Sequence, residues 1–108
     1  MMAQLTLDVP DVWVQLPRQE REALVRAGLY QATQELIRRL KNEIAEGQEH
    51  LQRFEARYSV PFARFETEIL PTLDTLEAHD DYNDWFFWRG VLTEKERLLA
   101  QLQRFEIN

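Results

Sequence analysis

The chain has 108 residues, of which 44% are hydrophobic and 30% are charged, and twelve aromatic residues are spread along it. This composition indicates one globular domain rather than an intrinsically disordered chain, which would have few aromatic and apolar residues. The absence of cysteine excludes disulfides, thiolate metal sites and cysteine nucleophiles. No apolar run approaches the roughly 18 residues of a membrane span, and no signal-peptide pattern opens the chain, so we expect a cytoplasmic protein.

The net charge of −6 is concentrated in the second half of the chain. Residues 17–58 hold eight Lys and Arg against seven Asp and Glu, whereas residues 59–108 hold five against ten. An acidic surface repels a phosphate backbone, so nucleic-acid binding is not expected. The charge favours a basic protein partner instead.

Residues 1–16 are predicted to form an N-terminal extended arm. Leu5, Leu7 and Val9 alternate with polar residues, as the inward face of a strand does. Pro10 ends the alternation, and an apolar connector follows it. A single short strand is not stable alone, so this segment either pairs with another chain or stays an extended arm.

A long helix is predicted over about residues 17–58, where strong helix formers follow Pro17. Gly28 leaves two alternatives open, because it either lies inside this helix or ends a shorter one. From residue 33 onward, apolar residues recur at alternating steps of four and three, which is a heptad seam. We predict self-association through six of its residues: Ile37, Leu40, Ile44, Gly47, Leu51 and Phe54.

The rest of the chain predicts a helix over about residues 61–78, kinked at Pro71, a turn at residues 79–81 with an aspartate as N-cap, and a helix over about 81–106. The fold class is therefore mainly all-α, with a helical domain at residues 17–108 forming an elongated hairpin or bundle. The first helix would be about 60 Å long and the last about 36 Å. Because the last helix is too short to cover the seam, we expect a homodimer. The alternative is a compact monomer whose long helix bends at a glycine.

Five aromatic residues crowd the start of the last helix: Tyr82, Trp85, Phe86, Phe87 and Trp88. They cannot all face one side, since successive helical residues are about 100° apart. We predict a partner-binding surface here, because Trp and Tyr are enriched at the centres of interfaces. The alternative is that Phe86 and Phe87 pack under the preceding loop or against another subunit.

No catalytic, cofactor or metal site is predicted. Neither His50 nor His79 has a glutamate three residues before it, as a di-iron helical bundle requires, and no phosphate-binding loop or nucleophile elbow is present. We therefore expect a protein that is not an enzyme and has no cofactor. One alternative is a ribbon–helix–helix DNA-binding dimer, with a strand at residues 4–9 and a turn at Gly28. Another is a structural scaffold.

The order of features resembles a group of small helical bacterial proteins that are antitoxin-like or uncharacterised. The resemblance rests on the Leu-x-Leu-x-x-Pro arm at residues 5–10, the paired Phe-Glu-x-x-Tyr and Phe-x-x-Phe-Glu stretches at residues 54–58 and 62–66, and the acidic, Trp-containing segment at residues 81–85. It implies a protein that binds and neutralises a partner encoded nearby. The bulky Phe86-Phe87-Trp88 run departs from this pattern.

Overall fold

The computed structural model describes residues 3–4, 6–73 and 75–107, with side chains up to residue 104. Helices account for most of these residues, and no strand occurs among them. The predicted all-α fold class is therefore confirmed. The elements in chain order are α1 (Asp11–Val14), α2 (Arg18–Tyr58), α3 (Phe62–Arg64), a π-helical turn (Phe65–Ile69), a 3₁₀ turn (Leu70–Thr72) and α4 (Leu76–Ile107).

Helix α2 runs through Gly28 without a break, so this glycine does not end a shorter helix. The predicted long helix is confirmed, in keeping with the strong helix formers that fill it. The helix stops at Tyr58 because Ser59 adopts the left-handed backbone conformation, with φ of 60°, that commonly follows a helix. Pro61 comes two residues later and cannot continue the helical hydrogen bonding.

The N-terminal segment differs from the prediction. Residues 6–10 form neither a strand nor a helix, and α1 is a single helical turn where an extended connector was expected. The expectation of an extended arm is thus wrong for residues 11–14. The turn forms because the amide of Trp13 donates a hydrogen bond to the carbonyl of Pro10 at 2.9 Å. Leu5, part of the predicted strand face, lies outside the described residues.

The ribbon–helix–helix alternative required a strand at residues 4–9 and a turn at Gly28. The described residues of that segment are not a strand, and Gly28 lies inside α2. The order of elements typical of that DNA-binding fold is therefore not found in the part of the chain that the structure describes.

Residues 61–78 do not form one kinked helix. The backbone passes from α3 into the π-helical turn and then into the 3₁₀ turn, where Pro71 lies in the first turn. The helical path ends at Leu73, whose φ of −106° and ψ of 89° are not helical. The predicted single helix with a kink is therefore wrong, since the backbone leaves the α-helical path before Pro71, whose ring is incompatible with a regular α-helix at this position.

Helix α4 begins at Leu76, about five residues earlier than predicted. The hydroxyl of Thr75 accepts a hydrogen bond from the amide of Ala78 at 3.1 Å, which is the contact that a threonine makes as a helix N-cap. The predicted turn at residues 79–81 is therefore wrong, and so is the predicted aspartate cap. These residues lie within the first two turns of α4.

The chain forms two compact units, residues 1–35 and residues 36–108, and the boundary between them falls inside α2. We call them the N-terminal unit and the C-terminal unit. The C-terminal unit contains a core of three buried aromatic residues, Phe62, Phe65 and Trp85. None of residues 6–35 is buried. The hydrophobic core that the structure describes therefore belongs to the C-terminal unit.

Candidate interaction surface

The heptad seam of α2 is occupied within one chain. Four of the six residues predicted to mediate self-association are buried: Ile37, Leu40, Ile44 and Gly47. The other two, Leu51 and Phe54, are half-buried against the aromatic core. The self-association assigned to this seam is therefore wrong, because a buried side chain offers no surface to a second chain. Helix α4 runs antiparallel to α2 along the seam, since Asp81 meets Tyr58, Leu92 meets Gly47 and Lys95 meets Glu43. The predicted length of α4 was therefore sufficient to cover the seam, although it was too short to cover the whole of α2.

Gly47 lies where α4 approaches this seam. A Cβ atom on Gly47 would lie 3.4 Å from Cδ1 of Leu92, so the glycine leaves room for the leucine side chain. One turn away along α2, Lys95 donates a hydrogen bond to Glu43. This hydrogen bond lowers the pKa of the Glu43 carboxyl. The space that Gly47 leaves in the seam is thus filled by a residue of the same chain.

The aromatic run of α4 is divided between the core and solvent. Trp85 is only 1% exposed, whereas Phe86 and Phe87 are 59% and 60% exposed. Tyr82 and Trp88 are half-buried. The prediction that the run could not face one side is confirmed, and Phe86 and Phe87 are not covered by a preceding loop. Of the five predicted partner-binding residues, the structure brings only these two fully to the surface.

Trp85 is the centre of the core. Its ring lies 5.5 Å from that of Phe54, 5.3 Å from Phe62 and 5.3 Å from Phe65, centroid to centroid. Aromatic pairs at such distances contribute about 0.5–1.5 kcal/mol beyond the area they bury. Assigning Trp85 to a partner-binding surface is therefore wrong, because its ring already joins α2, α3 and the π-helical turn.

The two half-buried rings of the run also have partners within the chain. Trp88 stacks on the imidazole ring of His50 with a centroid distance of 3.9 Å and an angle of 10° between the planes. His50 is half-buried as a result. The hydroxyl of Tyr82 donates a hydrogen bond to Oε2 of Glu66 at 2.6 Å, and this bond raises the pKa of Tyr82.

The outward side of α4 carries a shallow apolar groove. Its lining consists of Phe86, Phe87, Gly90, Val91, Glu94 and Lys95. A Cβ atom on Gly90 would meet nothing within 4 Å, so bare backbone forms the floor of the groove. At 100° per residue, Gly90 falls between the directions of Phe86 and Phe87. We call this surface the outer aromatic groove.

A buried carboxylate, Asp81, joins the two long helices. Asp81 accepts a hydrogen bond from the Tyr58 hydroxyl at 2.5 Å, and it forms an ion pair with Nη1 of Arg57 at 2.9 Å. Burial and the hydrogen bond to Asp81 raise the pKa of Tyr58 to about 12. This pair was missed from the sequence because residues 79–81 were assigned to a turn with an aspartate as N-cap, a role that Thr75 fills in the structure.

Chemical sites are not evident in the described residues. Within them, no group of three or more His, Cys, Asp or Glu side chains is placed to hold a metal ion. No described helix combines the length and apolar character needed to cross a membrane. No family model, curated protein or solved structure matches the chain.

Proposed function

We propose that this chain is a non-enzymatic, cytoplasmic helical protein whose role is to bind another protein through the outer aromatic groove. The observation that carries the proposal is the exposure of two adjacent phenylalanines, Phe86 and Phe87, at about 60% each. Their positions on α4 are held by Trp85, which lies beside them in the sequence and is buried. The rings therefore stand on a rigid element, which lowers the entropy lost on binding.

Covering the two rings would be favourable. Fully burying a phenylalanine contributes about 1.5–3 kcal/mol, so the exposed parts of both rings are worth about 2–4 kcal/mol together. Single exposed apolar residues are normal on protein surfaces, but two adjacent rings beside an uncovered glycine make a groove. A side chain or a helix of a partner could enter between the rings and approach the backbone at Gly90.

The charge around the groove favours a basic partner. Residues 76–88 contain four acidic residues and no lysine or arginine, and Arg57 pairs with two of the four, Glu77 and Asp81. Asp80 and Asp84 are exposed on α4 before Phe87. Complementary charge speeds association and selects against acidic proteins. A basic partner neutralised by this chain would agree with the resemblance to antitoxin-like proteins.

The experiment places a photo-reactive phenylalanine analogue at position 87 and irradiates the living cell. We expect it to capture a protein with excess lysine and arginine. That protein is then purified and titrated with the wild-type chain and with the double variant Phe86→Ala/Phe87→Ala. The dissociation constant should rise at least tenfold, which is about 1.4 kcal/mol, and binding should weaken as salt is added.

Tyr30→Ala is the matched control, because Tyr30 is an aromatic residue of α2 that is 66% exposed and does not line the outer aromatic groove. It should bind the partner as the wild type does. Equal affinity of the double variant and the wild type would contradict the proposal. So would the capture of this chain alone at position 87.

A further inference from the structure

The N-terminal unit exposes most of its large apolar side chains. Eight of them are between 39% and 66% exposed: Leu7, Val9, Val12, Val14, Leu24, Val25, Leu29 and Tyr30. None of residues 6–35 is buried. Because residues 6–35 contain no buried apolar side chain, they gain little from the hydrophobic effect within their own chain. Burial of their exposed apolar side chains against another chain would therefore be favourable.

Three of these side chains share one side of α2. At 100° per residue, Leu24, Val25 and Leu29 fall within about 140° of the helix circumference, and Gly28 lies among them. Tyr30 points to the opposite side of the helix. We call the surface formed by Leu24, Val25, Gly28 and Leu29 the glycine face.

Helix α1 lies beside the glycine face of α2 and adds apolar side chains to it. Nη1 of Arg21 donates a hydrogen bond to the carbonyl of Val14 at 3.3 Å. Val9, Trp13 and Val14 line a small open pocket together with Val25. The apolar surface therefore continues from α2 onto the N-terminal turn.

Gly28 has no function within its own chain that the structure shows. A Cβ atom there would meet nothing within 4 Å, and glycine inside a helix costs about 1 kcal/mol relative to alanine. No positive φ requires it. A glycine on an exposed apolar face is explained if the backbone of another helix approaches it closely, because a larger side chain would prevent that approach.

We propose that the glycine face is the interface of a homodimer, in which a second copy of the chain crosses α2 at Gly28. Residues 17–35 hold three arginines and three glutamates, so two copies meet without net repulsion despite the charge of −6 on the whole chain. This balance suits a self-complementary contact better than a strongly charged partner.

The charges at the start of α2 are balanced within the chain, since Glu20 and Glu22 accompany Arg18 and Arg21 and Arg18 forms an ion pair with Glu22 at 2.9 Å. They repel neither orientation of a second copy, and an isologous contact between two copies has a two-fold axis. A two-fold axis through such a contact closes the assembly at two chains.

The available area is at the lower limit for a specific dimer. Without Tyr30, which lies on the opposite side of α2, the exposed apolar side chains of the N-terminal unit present on the order of 600 Å² per chain, or about 1,200 Å² from two copies, and specific interfaces begin at about that total area. This self-association is independent of the outer aromatic groove, because it uses the N-terminal unit and that groove lies on α4. Failure of one proposal would therefore leave the other standing.

The test measures molar mass by sedimentation equilibrium between 1 and 100 µM, a range chosen around the micromolar affinity of many dimers. We expect the wild type to reach twice the monomer mass of 13.0 kDa. Leu29→Glu should remain monomeric, whereas Tyr30→Glu, the neighbouring residue on the opposite side of the helix, should dimerise as the wild type does. Circular dichroism of both variants verifies that they remain helical.

A second measurement tests the crossing point, and the chain suits it because it has no native cysteine. Under mild oxidation, Gly28→Cys should form a disulfide-linked dimer, while Tyr30→Cys should stay largely unlinked. A monomeric wild type at 100 µM would overturn the proposal, and so would unimpaired dimerisation of a helical Leu29→Glu. Equal linking of the two cysteine variants would overturn the placement of the interface.

Discussion

The hydroxyl of Tyr58 donates a hydrogen bond to Oδ2 of Asp81 at 2.5 Å, joining the last residue of α2 to the second turn of α4. Asp81 is buried, and Arg57 supplies its counter-charge. Beside this bond, the Tyr58 ring lies 4.3 Å from Phe65 and 6.3 Å from Trp85, centroid to centroid. The pair of Tyr58 and Asp81 therefore connects the polar edge of the core to its aromatic centre.

Removing the tyrosine hydroxyl should destabilise the protein. Tyr58→Phe keeps the ring but leaves the buried carboxylate with one partner fewer, which costs about 1–3 kcal/mol. We expect urea unfolding to show a lower midpoint with an unchanged slope. The matched control is Tyr30→Phe, which removes the same hydroxyl from a residue that is 66% exposed and should leave the midpoint unchanged. Equal midpoints for Tyr58→Phe and the wild type would mean that the bond contributes nothing.

The raised pKa of Tyr58 predicts a loss of stability at high pH. The folded-state pKa is about 12, above the ordinary value of 10, because burial and the hydrogen bond to Asp81 disfavour the phenolate. A group whose pKa is raised by folding stabilises the protein fully below pH 10, and this contribution is lost as the pH rises through 12. We expect the free energy of unfolding to fall across that interval. In Tyr58→Phe the fall should be shallower, and an identical pH profile would contradict the assignment.

Neighbouring aromatic residues should respond in opposite ways to truncation. Trp85→Ala empties the centre of the core and should cost about 3–5 kcal/mol, enough to unfold a marginal domain. Phe87→Ala removes an exposed ring and should change the free energy of unfolding by less than about 0.5 kcal/mol. Thermal unfolding of the two variants measures the difference. A large loss of stability in Phe87→Ala would show that this ring is covered within the folded chain.

The helical glycines should differ in the side chains they tolerate. At Gly90, which has open space, alanine should stabilise the protein by about 0.5–1 kcal/mol through helix propensity. At Gly47, a leucine should destabilise it by about 1–3 kcal/mol, because Leu92 already occupies the space. Urea unfolding distinguishes these outcomes, with Gly90→Leu as the matched control. Equal tolerance of leucine at both positions would indicate that α4 does not press on α2 at Gly47.

The sequence by itself determined helix α2 and the division of the aromatic run of α4. The run of helix formers after Pro17 and the stop at Ser59 to Pro61 established α2, because helix propensity and the backbone limits of proline act over a few residues. The spacing of the aromatic run likewise required that Phe86 and Phe87 turn away from Trp85. These inferences need only the 100° step of the helix.

Only the tertiary structure decided which chain covers each face. A heptad pattern is the same whether its partner is a second copy or a later helix of the same chain, so the sequence assigned Ile37, Leu40 and Ile44 to self-association although they are buried within one chain. The outcome depended on the direction and register of α4, which place Leu92 against Gly47 and Lys95 beside Glu43. Local propensity sets neither, because both follow from contacts between residues far apart in the sequence. The packing of α4 along the seam made the seam part of the core and left the outer aromatic groove exposed on the other side of α4.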